Sequence, residues 1–110
     1  MFAPGWPGVS TANNSQLGLG YGQIVYQVAS SRALSTTYYN TTNKPIFVAV
    51  VVTSSINFNC NFVVNGITFA STFGNSSQNA LLVGIVPVGG SYSANVTAGT
   101  PSITSWQELR

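Results

Sequence analysis

The stretch Ile56-Asn57-Phe58-Asn59-Cys60-Asn61-Phe62-Val63-Val64-Asn65-Gly66-Ile67-Thr68-Phe69-Ala70-Ser71-Thr72-Phe73 decides the fold class. Ile56, Phe58, Cys60, Phe62 and Val64 alternate with Asn57, Asn59, Asn61 and Val63, the period of two that sends successive side chains to opposite faces of a strand. After Gly66 the alternation resumes, with Ile67, Phe69 and Phe73 against Thr68, Ala70 and Thr72. Asn65-Gly66 between two such runs predicts a two-residue type I′ turn, which needs positive φ at both central residues. That turn sets Val64 opposite Ile67, so the two apolar sets are expected to share one buried face, with asparagines lining the other.

Working outward, short apolar runs alternate with turn residues at the spacing of an all-β domain. Strands are expected at 23–29, 36–40, 46–53, 56–65, 67–73, 81–86, 91–97 and 102–109, and no segment carries helical periodicity. Val, Ile, Thr, Tyr and Phe, which suit a pleated and half-buried surface, dominate these runs. Residues 1–22, rich in Gly, Pro, Asn and Ser, read as an extended lead-in, leaving 23–110 as one β domain. The expected architecture is a small antiparallel β-sandwich of jelly-roll type. Two runs, Ile46 to Val52 and Ala80 to Val86, are apolar on both faces. Such strands lie either in the middle of a covered sheet or at a contact between subunits, and they argue for an oligomer.

Composition removes most chemistry. The 110 residues contain three Lys or Arg (Arg32, Lys44 and Arg110), one acid (Glu108) and no His. Charged residues are 4% of the chain while hydrophobic residues are 45%, so a core is available without an ordinary charged surface. Triads that need histidine cannot be built, and a glycosidase carboxylate pair needs a second acid. One Cys and one Glu cannot make a metal site, and the glycine clusters at Gly18 to Gly22 and Gly89-Gly90 match no nucleotide-binding fingerprint. No enzyme activity, cofactor or metal is expected. A net charge of +2 from scattered cations gives no nucleic-acid footprint. No apolar run approaches the length of a membrane-spanning helix, and the start of the chain lacks the pattern of a secretory signal. Cys60, being single, forms no intramolecular disulfide.

The remaining candidates are polar and aromatic. Asn57, Asn59 and Asn61 form a comb on one face, which suits either a solvated surface or hydrogen bonding to sugar hydroxyls. Tyr38-Tyr39-Asn40 and Tyr92, with Trp6, Tyr21 and Tyr26, offer aromatic faces that serve equally as core, interface or carbohydrate platform. Sequons at Asn13, Asn40, Asn75 and Asn95 read as a consequence of the Asn, Ser and Thr content. Arg32 and Glu108 are expected to form an ion pair, with Arg110 two residues from Glu108 as a competitor and an anionic ligand on Arg32 as the alternative. Lys44, in the turn before Pro45, is expected to keep its ammonium in water.

Gly20-Tyr21-Gly22-Gln23, the segment Ser31-Arg32-Ala33-Leu34 through Tyr38-Tyr39-Asn40-Thr41-Thr42-Asn43-Lys44-Pro45-Ile46, then Ile85-Val86-Pro87-Val88-Gly89-Gly90-Ser91-Tyr92 and Trp106-Gln107-Glu108-Leu109-Arg110 resemble the C-terminal domains of bacteriophage and prophage tail-fibre proteins. The resemblance runs from about Gly20 to Arg110. It implies a homotrimeric β knob at the fibre tip, displayed on the virion and recognising a bacterial surface polysaccharide or outer-membrane receptor. The other implied role is a trimerisation cap that binds nothing. A third role, a polysaccharide-degrading spike, would need carboxylates from another domain or chain. The resemblance carries no residue-level ligand motif.

Overall fold

The computed structural model describes residues 18–110; the remainder, 1–17, holds most of the expected lead-in with Trp6 and the Asn13 sequon, and these lie outside the described residues. Among the described residues eight strands occur: β1 (Val25–Gln27), β2 (Tyr38–Tyr39), β3 (Ile46–Thr53), β4 (Phe58–Val64), β5 (Ile67–Gly74), β6 (Asn79–Val86), β7 (Ser91–Ala98) and β8 (Ser102–Leu109). A 3-10 turn at Ala29–Ser31 shortens the first expected strand.

The strands form two four-stranded antiparallel sheets, ordered β1-β8-β3-β6 and β2-β7-β4-β5. Each pair β4–β5, β3–β6, β2–β7 and β1–β8 is hydrogen-bonded, so the chain is one long hairpin rolled over itself, the eight-stranded jelly roll. Asn65-Gly66 is the tip of that hairpin, with φ of 52° and 79°, the left-handed conformation read from its sequence. The start of β7 clamps the tip, since the Asn65 amide donates to the Ser91 carbonyl and the Ser91 amide donates to Asn65 Oδ1, each at 3.0 Å.

Between the sheets, Ile46, Val48, Val50, Val52, Leu82, Val86 and Trp106 meet Phe58, Cys60, Phe62, Tyr92 and Ala94. The approach is close at Gly84, where an added Cβ would lie 2.4 Å from the Phe62 ring; β6 needs a bare backbone there. Two bulges aim side chains. In β8, Val51 opposes Ser105 while Val52 opposes Ile103, so Thr104 is the extra residue and Ile103, Trp106 and Glu108 all turn inward. In β5, Phe62 opposes Ala70 while Val63 opposes Thr68, leaving Phe69 extra.

The second bulge corrects the expectation that Ile67, Phe69 and Phe73 share the buried face. Phe73 pairs with Asn59 on the outer face and is 75% exposed. Ile67 pairs with Val64 as expected, yet it lies at the sheet edge, 72% exposed. Alternation alone cannot register an inserted residue, which flips every later side chain.

The outer faces differ chemically. On the first sheet, Val25, Leu109, Phe47 and Ile85 lie in one cross-strand row; Ala49 and Val83 follow, then Val51 and Leu81. This is the second face of the two runs read as apolar on both sides. On the second sheet, Tyr39 beside Ser91 lies at one end and Phe73 beside Asn59 at the other, with Asn61, Asn95, Ser71 and Thr68 between them. That face carries no charged side chain.

Gly66→Val places a β-branched residue at positive φ and is expected to lower stability by about 1–3 kcal/mol. Denaturant unfolding monitored by tryptophan fluorescence measures it, and an unchanged midpoint would contradict the strained turn.

Candidate functional site

The inward turn of β8 buries the chain's single acid. Glu108 is 1% exposed and points from the first sheet toward the second. Its Oε2 accepts hydrogen bonds from Tyr92 Oη at 2.8 Å, Trp106 Nε1 at 3.0 Å and Arg32 Nε at 3.1 Å. Its Oε1 accepts from Arg32 Nη2 at 3.2 Å and faces Arg110 Nε at 3.4 Å. Arg32 therefore grips the carboxylate with two nitrogens, the fork geometry in which guanidinium matches carboxylate best.

Aromatic rings hold the two arginines in place. The Arg32 guanidinium lies 4.7 Å from the centre of the Tyr38 ring, and that of Arg110 lies 4.6 Å from the Tyr26 ring. Tyr38 in turn meets Trp106 edge-on at 5.9 Å, and its hydroxyl accepts the Ala33 amide at 2.8 Å. Burial, then the hydrogen bond and charge of Glu108, push the Tyr92 hydroxyl up to about 12. Burial also pushes the Cys60 thiol up, away from the thiolate a reactive cysteine needs.

This arrangement is a brace. A carboxylate has about four lone-pair positions, and here five protein nitrogens and oxygens surround them. Among the described residues, no buried side-chain polar atom lacks a partner.

The sequence-level candidates fall in three places. Tyr38 and Tyr92 join Arg32 and Glu108 in the brace, their rings 6.0 Å apart, and Tyr92 is 2% exposed. Asn40 is buried as well. Its Nδ2 donates to the carbonyls of Lys44 at 2.7 Å and Val86 at 3.1 Å, and its Oδ1 accepts from Thr42, so the amide clamps the turn before β3 to the end of β6. Tyr39 is exposed on the outer face of the second sheet, as is Asn59 at its other end, with Asn61 half-buried between; Asn57 is exposed but precedes β4, so the expected comb of three asparagines loses its first member to the loop. Tyr38 sits in the row of Tyr92 and Asn59 in the row of Ala98. At roughly 3.3 Å per residue those rows are about 20 Å apart, too far for one small-ligand pocket.

Lys44 departs from its expected place in water. It is 5% exposed, its ammonium donates to the Tyr21 carbonyl, and it lies 5.4 Å from the Tyr21 ring. Beside it is an open hollow of about 290 Å³ lined by Gly22, Gln23, Thr42, Asn43, Lys44 and Arg110. A smaller pocket of about 50 Å³ adjoins it over Glu108, sharing Thr42 and Arg110. Lys44 and the hollow had no signal in the sequence, because segments 21–23 and 42–44 and the last residue meet only through the fold.

No protein-family model matches the chain. No curated protein matches it either. Among solved structures, it is similar to part of a β-glucosidase from Paenibacillus barengoltzii, with a TM-score of 0.51 and 13% identity over 79% of this chain. The chain spans about 10% of the length of that enzyme. The likeness is one of fold.

Two outcomes follow from the brace. In a double-mutant cycle with Arg32→Met and Glu108→Gln, Arg32→Met is expected to lose roughly 3–5 kcal/mol, because it takes the two-nitrogen grip from a buried carboxylate, and Glu108→Gln less, because the Arg32 side chain keeps 16% exposure. The pair should lose less than the sum, a coupling of about 0.5–3 kcal/mol in thermal unfolding; strict additivity would contradict the brace. Tyr92 sets the alkaline limit. Its hydroxyl ionises near 10.0 in the unfolded chain and near 12 in the fold, so the unfolded state releases its proton first. The Tyr92 contribution is complete below pH 10 and falls away as pH rises toward 12. The full loss is about 2–3 kcal/mol. Tyr92→Phe should flatten that slope in unfolding measured across the range.

Proposed function

We propose that this domain is the non-enzymatic host-recognition tip of a phage tail fibre, binding a bacterial surface glycan or outer-membrane component as a homotrimer. The observation that carries the reading is the contrast between the two outer faces. The first sheet exposes Val25 (64%), Leu81 (56%) and Ile85 (42%) in a continuous apolar surface. An exposed apolar patch of this kind suits contact with a second copy of the chain. The second sheet presents amides and hydroxyls between the exposed rings of Tyr39 and Phe73, a surface suited to neutral saccharides, whose hydroxyls need donors and acceptors and whose ring faces stack on aromatics.

The non-enzymatic part of the reading rests on the single, fully engaged carboxylate. A glycoside hydrolase ordinarily needs two such groups a fixed distance apart, and this sequence has one. The similar β-glucosidase acts on glycosides, but the fold likeness covers a tenth of it and transfers no activity.

Light scattering at micromolar concentration is expected to give about three times the chain mass, in keeping with closed symmetry. Leu81→Lys with Ile85→Lys should return a monomer. Intact trimers should bind bacterial cells or arrayed surface glycans. Asn59→Ala with Phe73→Ala should weaken that binding without changing the mass. A stable wild-type monomer contradicts the assembly. A trimer that binds no bacterial cell or glycan would make the domain the structural cap of its fibre instead.

A further inference from the structure

The charges of this chain are concentrated to an extent that its composition does not require. Arg32, Lys44, Arg110 and Glu108, which are every charged side chain in the sequence, all line the two adjoining pockets at one end of the sandwich. Three cationic side chains there face one acidic side chain, the carboxylate of Glu108, and the Arg110 main-chain oxygen at the same end accepts the Ile24 amide at 3.3 Å. Arg32 consumes both oxygens of that carboxylate, and Arg110 shares one of them through Nε alone. The terminal nitrogens of Arg110 have no acceptor among the described residues, and its side chain is 35% exposed toward the larger hollow. Lys44 has no ion-pair partner among the described residues, although burying an ammonium without a counter-charge is costly. Its one acceptor among the described residues is the Tyr21 carbonyl, where an ammonium carries three donors.

The hollow between these two cations is built. Gln23 Nε2 donates to the carbonyls of Pro45 at 2.8 Å and Leu109 at 3.4 Å, tying one wall to the turn before β3 and to the end of β8. Thr42 Oγ1 donates to Asn40 Oδ1 at 2.7 Å and accepts from the Lys44 amide at 3.3 Å, which fixes the opposite wall. Asn43 and Thr42 add neutral polar groups to the rim. A space of about 290 Å³ takes one monosaccharide rather than an oligomer.

The geometry points to a binding site for an anionic sugar residue, its carboxylate or phosphate held by the free edge of Arg110 and by Lys44, with its hydroxyls on Thr42, Asn43 and Gln23. The sugar part of this assignment rests on the host-glycan reading above; the anion part does not. It gives the domain a second contact, distinct in place and chemistry from the neutral face of the second sheet. A guanidinium edge accepts either anion, so the probe decides between them.

Titration of the ¹⁵N-labelled full chain with glucuronate, glucose 6-phosphate, glucose and inorganic phosphate tests the site. Saturable shifts at Gln23, Thr42, Asn43, Lys44 and Arg110 are expected with glucuronate or glucose 6-phosphate, and none with glucose. Arg110→Gln, and separately Lys44→Met, should weaken the bound anion by about tenfold or more, the loss of a hydrogen bond to a charged group. Arg110→Gln is the safer variant for folding, and its melting temperature reports that directly. Asn59→Ala, at the far end of the second sheet, should change nothing at this site. Absence of shifts at millimolar concentration with both sugar anions, or equal binding of glucose, overturns the site. Inorganic phosphate binding as tightly as glucose 6-phosphate overturns the saccharide assignment. Saturable sugar-anion binding to a chain that attaches to no bacterial cell would overturn the host-recognition reading and leave the site standing.

Discussion

The carboxylate of Glu108 is the point through which the two sheets are tied together. It leaves the first sheet on β8 and receives Tyr92 from β7 of the second, while Arg32 reaches it from the segment between β1 and β2. Placing a charge between two apolar layers is expensive unless every lone pair is met, and here they are met by Trp106 of the same strand, Tyr92 of the facing sheet and two arginines outside the strands. The cluster thus acts on geometry as much as on energy: the placement of the second sheet has to bring Tyr92 onto the carboxylate that Trp106 and Arg32 hold from the side of the first. Apolar packing would tolerate several placements, since Val, Ile and Leu contacts are not directional.

Around that brace the fold is a hairpin rolled from its tip. The pairing radiates from Asn65-Gly66, and each outer pair of strands brings together chain segments farther apart in sequence. Two of the three bulges modify this regular plan at places that matter. Thr104 in β8 swings Trp106 and Glu108 inward and so creates the brace. Phe69 in β5 swings Phe73 outward and so puts an aromatic ring beside the asparagines. A single inserted residue in each strand sets what the sandwich encloses and what it displays.

The distribution of charge has a further consequence. With every ionic group drawn to one end, the broad faces of both sheets are left neutral, one apolar and one amide-rich. A neutral surface neither repels other copies nor steers charged ligands from a distance. Selectivity on the proposed binding face therefore depends on shape and short hydrogen bonds. The cationic end, where Lys44 has no acid partner among the described residues and Arg110 only shares Glu108 with Arg32, is the place where charge would be read.

Strand positions, the antiparallel sandwich and the Asn65-Gly66 tip were determined by local sequence, because side-chain alternation and positive φ are properties of neighbouring residues. The Arg32–Glu108 contact was legible by elimination, from a chain with one acid and few cations. The bulges were not, since an inserted residue shows only against its partner strand, and so the outward turn of Phe73 stayed hidden. Tyr92 and Asn40 read as aromatic or amide surface, and the fold instead spends their polar atoms inside, on groups 16 and 46 residues away. The buried Lys44 and the hollow beside it belong wholly to tertiary structure. They exist because rolling the hairpin carries residues 21–23, 42–44 and 110 to one end, and sequence pattern has no term for distances that only chain closure creates.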